Sequence, residues 1–335
     1  MGAAQSSAEA PTISVCIGCY NQRRYLGKCL DSIVAQKIDV PVEILVGDDA
    51  STDGTAELVE DYARRDARIV PIRRRQNLGF LENHRDLFAR TRGEFVAICD
   101  GDDFWTDPDK LAKQLAAMQS DPRLTLAISA GQKVSESGEQ PLGLLQIGGP
   151  SRELGLAEMI AAVTGVPTAS MFMRREALMA LPAETYEQPV LDYSFQVFLA
   201  ARGPVWYDSS VTCAYRVSSI GSWTESLASS PERYQQRHEA FTTYQDFLES
   251  ELDARWTPAL RRASEPITLG FYMSSRVNRS EKIRSLSKDL PRLSGRGRVI
   301  AKILAYAPVL VQAGAIARRR IWSPLAGRMR KSSRA

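Results

Sequence analysis

The sequence predicts an α/β protein: a mostly parallel sheet flanked by helices, continued by a helical, basic C-terminal extension. Three observations support this. Short β-branched apolar runs alternate with amphipathic stretches through the first half of the chain. Polar clusters, Cys19-Tyr20-Asn21, Asp48-Asp49 and Asp100–Asp103, close three of those runs. From Pro231 onward the chain reads as mostly helical.

The elements follow in order. Ile13–Ile17 is apolar and β-branched, a strand, and the amphipathic Tyr25–Gln36 after it is a helix. Val42–Val46 with Thr55–Arg65, and Ala67–Ile72 with Leu81–Arg90, repeat that strand–helix unit. Phe95–Cys99 is a fourth strand. Pro108–Gln119 is helical, with Thr106 or Asp107 available as a cap and Pro108 suited to the first helical position. Leu124–Ser129 is another strand. Gly, Pro, Ser and Gln then dominate residues 132–165, as expected of a connection or lid. Beyond it Val166–Arg174 reads as a strand, Val190–Ala201 as a helix, and Pro204–Tyr207 and Thr212–Tyr215 as two short strands. The expected division is one domain over 12–228 and an extension over 229–335. Ligands of open α/β sheets bind beyond the carboxyl ends of the strands, so the three polar clusters are expected to share one edge.

At 335 residues, 44% hydrophobic and 24% charged, the chain is expected to be globular and not disordered. It has no uninterrupted apolar run of membrane-spanning length, and its N-terminus lacks a signal-peptide core, so a cytoplasmic location is expected. The start M-G-A-A-Q-S matches the N-myristoylation pattern, a match read as chance. Five scattered cysteines fit reduced thiols, and Cys16-x-x-Cys19 has no second pair to complete a zinc site. Charge is unevenly distributed. Residues 292–335 hold eleven Arg or Lys and no Asp or Glu, and the rest of the chain carries 32 basic against 39 acidic residues. Cations flank the apolar Val299–Ala317, a pattern that suits an interfacial helix or a packed helical hairpin. The expected partner of the basic tail is an anionic membrane surface, with the protein peripheral on its cytoplasmic face, and no nucleic acid.

Residues 94–108, E-F-V-A-I-C-D-G-D-D-F-W-T-D-P, run from a strand straight into Asp100, Asp102 and Asp103. Carboxylates this close repel, and a hard cation such as Mg2+ or Mn2+, completing its shell with phosphate oxygens and water, relieves that repulsion. The segment V-E-I-L-V-G-D-D-A-S-T-D-G-T imitates a calcium loop, but a strand precedes it where such loops need a helix. Ser51, Thr52 or Asp53 capping a helix, with Gly54 in the turn, explains it better and leaves Asp48 and Asp49 facing the ligand edge. A carboxylate there could accept a pyrimidine imide or a ribose hydroxyl. No G-x-G-x-x-G follows the first strand and no G-x-x-x-x-G-K-[ST] occurs, so neither a hydride-transfer cofactor nor a phosphate loop is supported.

Ile13–Asn21 (I-S-V-C-I-G-C-Y-N), G-D-D-A-S-T-D-G-T, Asn77-Leu78-Gly79 and the Asp100–Asp103 segment together resemble family 2 glycosyltransferases of GT-A fold, of the bacterial polysaccharide-biosynthesis type. The match covers about residues 12–225. Gly18 departs from it, standing where most members have Pro or Thr. The resemblance implies an inverting, metal-dependent transfer from a nucleotide-diphosphate sugar to a hydroxyl of a glycan or lipid-linked acceptor. It implies that Tyr20, beside Asn21, stacks on the base, that Asp49 accepts the base N–H, and that Asp102 and Asp103 hold ribose and metal. Asp48 lines the same edge and Asp100 supports it. Arg85 is the cationic candidate of its segment, Asp192 the candidate general base, with a helix cap as its plain alternative. Arg216 and Trp223 lie in the stretch near the donor, where Ser218 and Ser219 replace a histidine common in the family. Neither His84 nor His238 lies in a motif, so histidine acid–base chemistry is not expected. The alternatives are a nucleotidyltransferase, for which Gly18–Arg24 is a poor opening loop, and a non-enzymatic calcium- or sugar-nucleotide-binding module.

Overall fold

A computed structural model describes residues 10–163, 165–187, 191–217, 219, 231–274 and 277–306. The chain divides into two compact units, Met1–Ser226 and Leu227–Ala335.

The first unit opens with three strand–helix pairs. β1 (Ile13–Cys19), β2 (Val42–Asp48) and β3 (Ile69–Arg73) alternate with α1 (Arg23–Val34), α2 (Thr55–Arg65) and α3 (Phe80–Arg90), and β4 (Phe95–Ile98) follows. These four strands pair in parallel in the order β3-β2-β1-β4. Every residue of β1 and β4 is buried, as a parallel sheet covered on both faces requires. Two-residue β5 (Phe104–Trp105) and α4 (Lys110–Ser120) lead to β6 (Leu126–Val134).

Residues 132–165, read as a connection, hold secondary structure of their own: the end of β6, then β7 (Pro141–Leu145), β8 (Arg152–Leu154) and α5 (Leu156–Ala161). Pairing with β6 and β10 sustains these strands despite weak local patterning. Val166–Arg174 is only partly strand. Thr168–Ser170 is a 3-10 turn, and β9 (Phe172–Arg174) is inserted antiparallel between β4 and β6. After α6 (Arg175–Met179) and α7 (Leu191–Arg202), the two expected short strands are a single β10 (Val205–Arg216). It runs parallel to β6, with register shifts on either side of Val211 that hide its continuity in the pattern. Parallel pairing predominates in this mixed sheet.

The second unit is helical, as expected. α8 (Pro231–Glu251), α9 (Thr257–Met273), α10 (Arg279–Asp289) and α11 (Gly295–Tyr306) enclose a core of Phe271, Tyr272, Val277, Leu286, Leu293, Ala301 and Leu304. Among the described residues no helix is long and apolar enough to cross a membrane. Of the apolar stretch Val299–Ala317, residues 307–317 lie outside the described residues.

Candidate active site

The loops after β1, β2 and β4 meet at one end of the sheet. They are bound together by side chains that the turns themselves supply. Asn21, in the left-handed region at φ 52, donates its amide to Ser51 Oγ (2.8 Å) and accepts the Thr52 amide on Oδ1 (2.8 Å). Asp53 accepts the Thr55 amide on Oδ1 (3.0 Å) and the Arg23 amide on Oδ2 (3.0 Å), capping two helices at once. Gly54, at φ 88, turns the chain into α2. Burial pushes Asp53 up, but the Thr55 and Arg23 hydrogen bonds outweigh it and hold the carboxyl below its usual value. With Asp49, Ser51 and Asp53 engaged by backbone amides, the calcium-loop resemblance has no structural basis. Among the described residues no three acidic, Cys or His side chains gather as a ready-made metal cluster.

The neighbouring carboxylates Asp48 and Asp49 have different roles. Both are buried. Asp49 accepts the Leu78 and Gly79 amides (2.7 and 2.8 Å), and its carbonyl receives Asn77 Nδ2 (3.2 Å), so it fastens the loop before α3. The two oxygens of Asp48, by contrast, lack a well-formed hydrogen bond. Burial raises the Asp48 pKa despite the opposing pull of nearby Ser51 and Arg73. Tyr20, just past β1, leaves 45% of its surface exposed.

The three carboxylates after β4 also separate. Asp103 is buried, and its Oδ1 accepts the Arg216 amide (2.9 Å) at the end of β10. It ties the loop after β4 to the end of β10. Asp100 and Asp102 keep some solvent exposure. Asp102 Oδ2 accepts Ser219 Oγ at 2.5 Å, so Ser219 contributes to the site. Burial first, then the mutual charges of the group, raise Asp102 and raise Asp103 strongly. Hard oxygen donors with raised pKa values suit Mg2+ or Mn2+, which use one or two protein carboxylates and leave positions for phosphate oxygens and water.

Arg216 does not reach outward. Its guanidinium is buried, with Nε on the Asp102 carbonyl (2.7 Å) and Nη1 on that of Glu136 (2.6 Å). It lies 4.8 Å from the centre of the Tyr25 ring, so it braces the loops. Arg85 is exposed on α3 and paired with Glu82 at 3.3 Å. The residue that α3 does bring in is His84, which sequence reasoning set aside. Its buried ring places Nε2 3.2 Å from Asp100 Oδ1, although the angle is poor for a hydrogen bond. Its signal in the sequence was Gly18, an absent side chain whose space something else must fill.

Asp192 begins α7. Oδ1 accepts the Tyr193 amide (2.8 Å) and Oδ2 the Thr168 hydroxyl (3.2 Å). It thus does some helix-start work, yet it stays partly exposed. Burial raises its pKa against those two bonds, and the charge of Asp100 adds to the rise. Trp223 lies outside the described residues. All five cysteines are buried and free.

Comparison with known proteins matches residues 14–181 to the model of glycosyl transferase family 2. An uncharacterised protein of Mycobacterium tuberculosis is 30% identical over 205 residues, 61% of this chain and 58% of that one. The chain thus spans little more than half the length of that relative. A Bacillus subtilis glycosyltransferase whose name assigns it to teichuronic acid biosynthesis is 35% identical over 108 residues, 32% of this chain and 42% of its own. Among solved structures, Staphylococcus aureus TarS 1–349 with UDP-GlcNAc aligns over 87% of this chain and 91% of its own (TM-score 0.62, 17% identity). The mannosyltransferase PcManGT of Pyrobaculum calidifontis, with GDP-Man and Mn2+, aligns over 95% and 84% (TM-score 0.59, 16% identity). These structures share the GT-A-like fold.

Proposed function

The chain belongs to glycosyl transferase family 2, and from that premise we propose that it transfers a sugar, with inversion, from a nucleotide-diphosphate sugar to a hydroxyl of a glycan or lipid-linked acceptor. The observation that carries this reading is the cluster of deep but unsatisfied polar groups, Asp48, Asp100 and His84, at one sheet edge beside exposed Tyr20. Tyr20 stacks on the base, and Asp48 accepts its imide N–H in the place first expected of Asp49. Asp102, with Asp100 beside it, holds the divalent cation. When bound, the cation offsets the charge that develops on the departing diphosphate.

Asp192 is the general base. Its raised pKa makes it a better proton acceptor than an ordinary aspartate. It takes the acceptor hydroxyl proton as that oxygen attacks the anomeric carbon. Arg216 and Asp103 work indirectly, holding the Asp102 loop to the end of β10. Residues 12–228 form the transferase domain and 229–335 the extension.

The donors in the solved relatives, UDP-GlcNAc and GDP-Man, define the screen. Thermal shift and hydrolysis across UDP-, GDP- and dTDP-sugars, with and without Mn2+, should give a metal-dependent response to one base. Tight calcium binding with no response to any nucleotide would sink the transferase reading.

The extension meets an anionic membrane surface. In support, α11 leaves Val299, Ile303 and Tyr306 exposed along one stripe, with exposed Arg296, Arg298 and Lys302 beside them. Val299→Asp with Ile303→Asp should release the chain from phosphatidylglycerol-containing vesicles. Unchanged co-sedimentation would remove α11 from the contact.

A further inference from the structure

Lys110 is fully buried, a costly place for an amine that no step of the transfer uses. Its surroundings account for it. Nζ donates to Gln114 Oε1 one turn along α4 (2.7 Å) and lies 4.3 Å from the centre of the Trp105 ring. An amine donates in either protonation state, so the bond to Gln114 does not depend on its charge.

Both partners of Lys110 grip one turn. Trp105 Nε1 donates to the Ala169 carbonyl (2.9 Å), and Gln114 Nε2 to those of Ser170 (2.7 Å) and Ala127 (3.4 Å). A carbonyl can only accept, so the Gln114 amide turns its nitrogen to Ser170 and its oxygen to Lys110. Within the turn, the Ser170 amide and hydroxyl both reach the Pro167 carbonyl (3.0 and 2.7 Å), and the Met171 amide reaches that of Thr168 (3.0 Å). Every carbonyl from Pro167 to Ser170 is thereby satisfied, and rotating one away would leave it buried without a partner. Gly131 of β6 gives the turn its seat, since a Cβ there would fall 2.7 Å from Pro167 Cγ.

This turn carries Thr168, whose hydroxyl donates to Asp192 Oδ2 (3.2 Å). At the other end, Trp105 follows Asp103 by two residues, and its amide is fixed on Ser32 Oγ of α1 (3.0 Å). One buried unit therefore links the carboxylate loop after β4 to the start of α7.

We propose that Lys110, Gln114 and Trp105 are positioning residues that hold the Thr168 turn, through which Thr168 fixes the Asp192 carboxylate relative to the Asp102 loop. The catalytic consequence rests on the reading of Asp192 as general base. None of the three touches a reacting atom.

The test uses the full chain with Mn2+, reading turnover as hydrolysis of UDP-GlcNAc or GDP-Man and binding by calorimetry with UDP or GDP. Lys110→Met keeps the volume and removes the amine. It should lower kcat about tenfold while KM for the sugar nucleotide and nucleotide affinity stay within about twofold. Thr168→Val should do the same, and Thr168→Ser, which restores the hydroxyl, should return to within about threefold of wild type. In the Asp192→Asn background either loss should shrink to less than about twofold, since the group being positioned is gone. An undiminished loss in that background, wild-type kcat in Lys110→Met, or a nucleotide affinity that falls in step with kcat overturns the proposal. Without ligand, exchange of the Trp105 indole N–H followed by NMR should be about tenfold faster in Lys110→Met, and unchanged protection overturns it too. Should Lys110→Met not fold, Gln114→Glu keeps the Lys110 contact but loses the N–H that Ser170 accepts, with the same results expected. Near-normal turnover by Asp192→Asn, or no hydrolysis of either sugar nucleotide by the wild type, would count against the transferase reading, while the indole exchange still decides whether the turn is held.

Discussion

In the helical unit, Asp289 Oδ2 receives the Tyr272 hydroxyl at 2.5 Å and faces His238 Nε2 at 2.8 Å, and the imidazole is stacked on Phe271. At the strand-end edge of the α/β unit, Asp48 and His84 are just as deeply placed, but the Asp48 oxygens and His84 Nε2 have no aligned partner. A satisfied buried network ties α8, α9 and α10 together and makes each member costly to remove. An unsatisfied one costs about 1–3 kcal/mol per group. A fold tolerates that cost where something else supplies the missing bonds for part of the time. Burial alone therefore does not separate structure from function in this molecule.

The largest effect that would sharpen this contrast is on turnover. Asp192→Asn should lower transfer by about 10²–10⁴-fold while Mn2+-dependent nucleotide binding stays near wild type. Near-normal turnover would leave Asp192 as a helix-start residue only. Next comes the closed network. Asp289→Leu leaves His238 and the Tyr272 hydroxyl buried without a partner, and should destabilise the protein by about 3 kcal/mol in urea unfolding. Nucleotide affinity should not move in that variant, and a parallel loss would erase the distinction between the two regions.

The smallest effect has the opposite sign. Asp48→Asn should raise stability at pH 7 by about 1 kcal/mol and weaken nucleotide binding about tenfold, because it removes a buried charge that awaits a ligand. Its pH dependence follows from the raised folded pKa. A carboxyl raised on folding contributes stability that is complete below its unfolded value, about 3.9, and is lost as pH rises through the folded value. The gain from Asp48→Asn should therefore be largest at neutral pH and fade as pH falls. A gain that grows in acid would contradict the raised pKa.

The order of elements and the shared edge of the three polar clusters were legible, because apolar periodicity and strand-end polarity are local properties. The facing of adjacent residues was not. Successive side chains of an extended backbone point to opposite sides, so the sequence cannot decide which of Asp48 and Asp49, or of Asp102 and Asp103, faces the ligand edge. At Arg216 a cation near a phosphate site invites a binding role, and the two distant carbonyls it reaches are visible only in the fold. His84 was missed because its partners, Gly18 and Asp100, are remote in sequence. The two short strands merged into β10 because a bulge interrupts the alternation that marks a strand.

Asp53 carries a consequence for the order of assembly. Its carboxylate closes the first turns of α1 and α2 together, and the Thr55 hydroxyl adds a bond to the Gln22 amide (3.0 Å). Neither helix start is complete until β1 and β2 have brought the two chain segments side by side. Loss of the Asp53 carboxylate would therefore leave amides at both helix starts without an acceptor. Refolding of Asp53→Ala should be slower than wild type by more than its unfolding is faster, if that closure lies before the folding barrier.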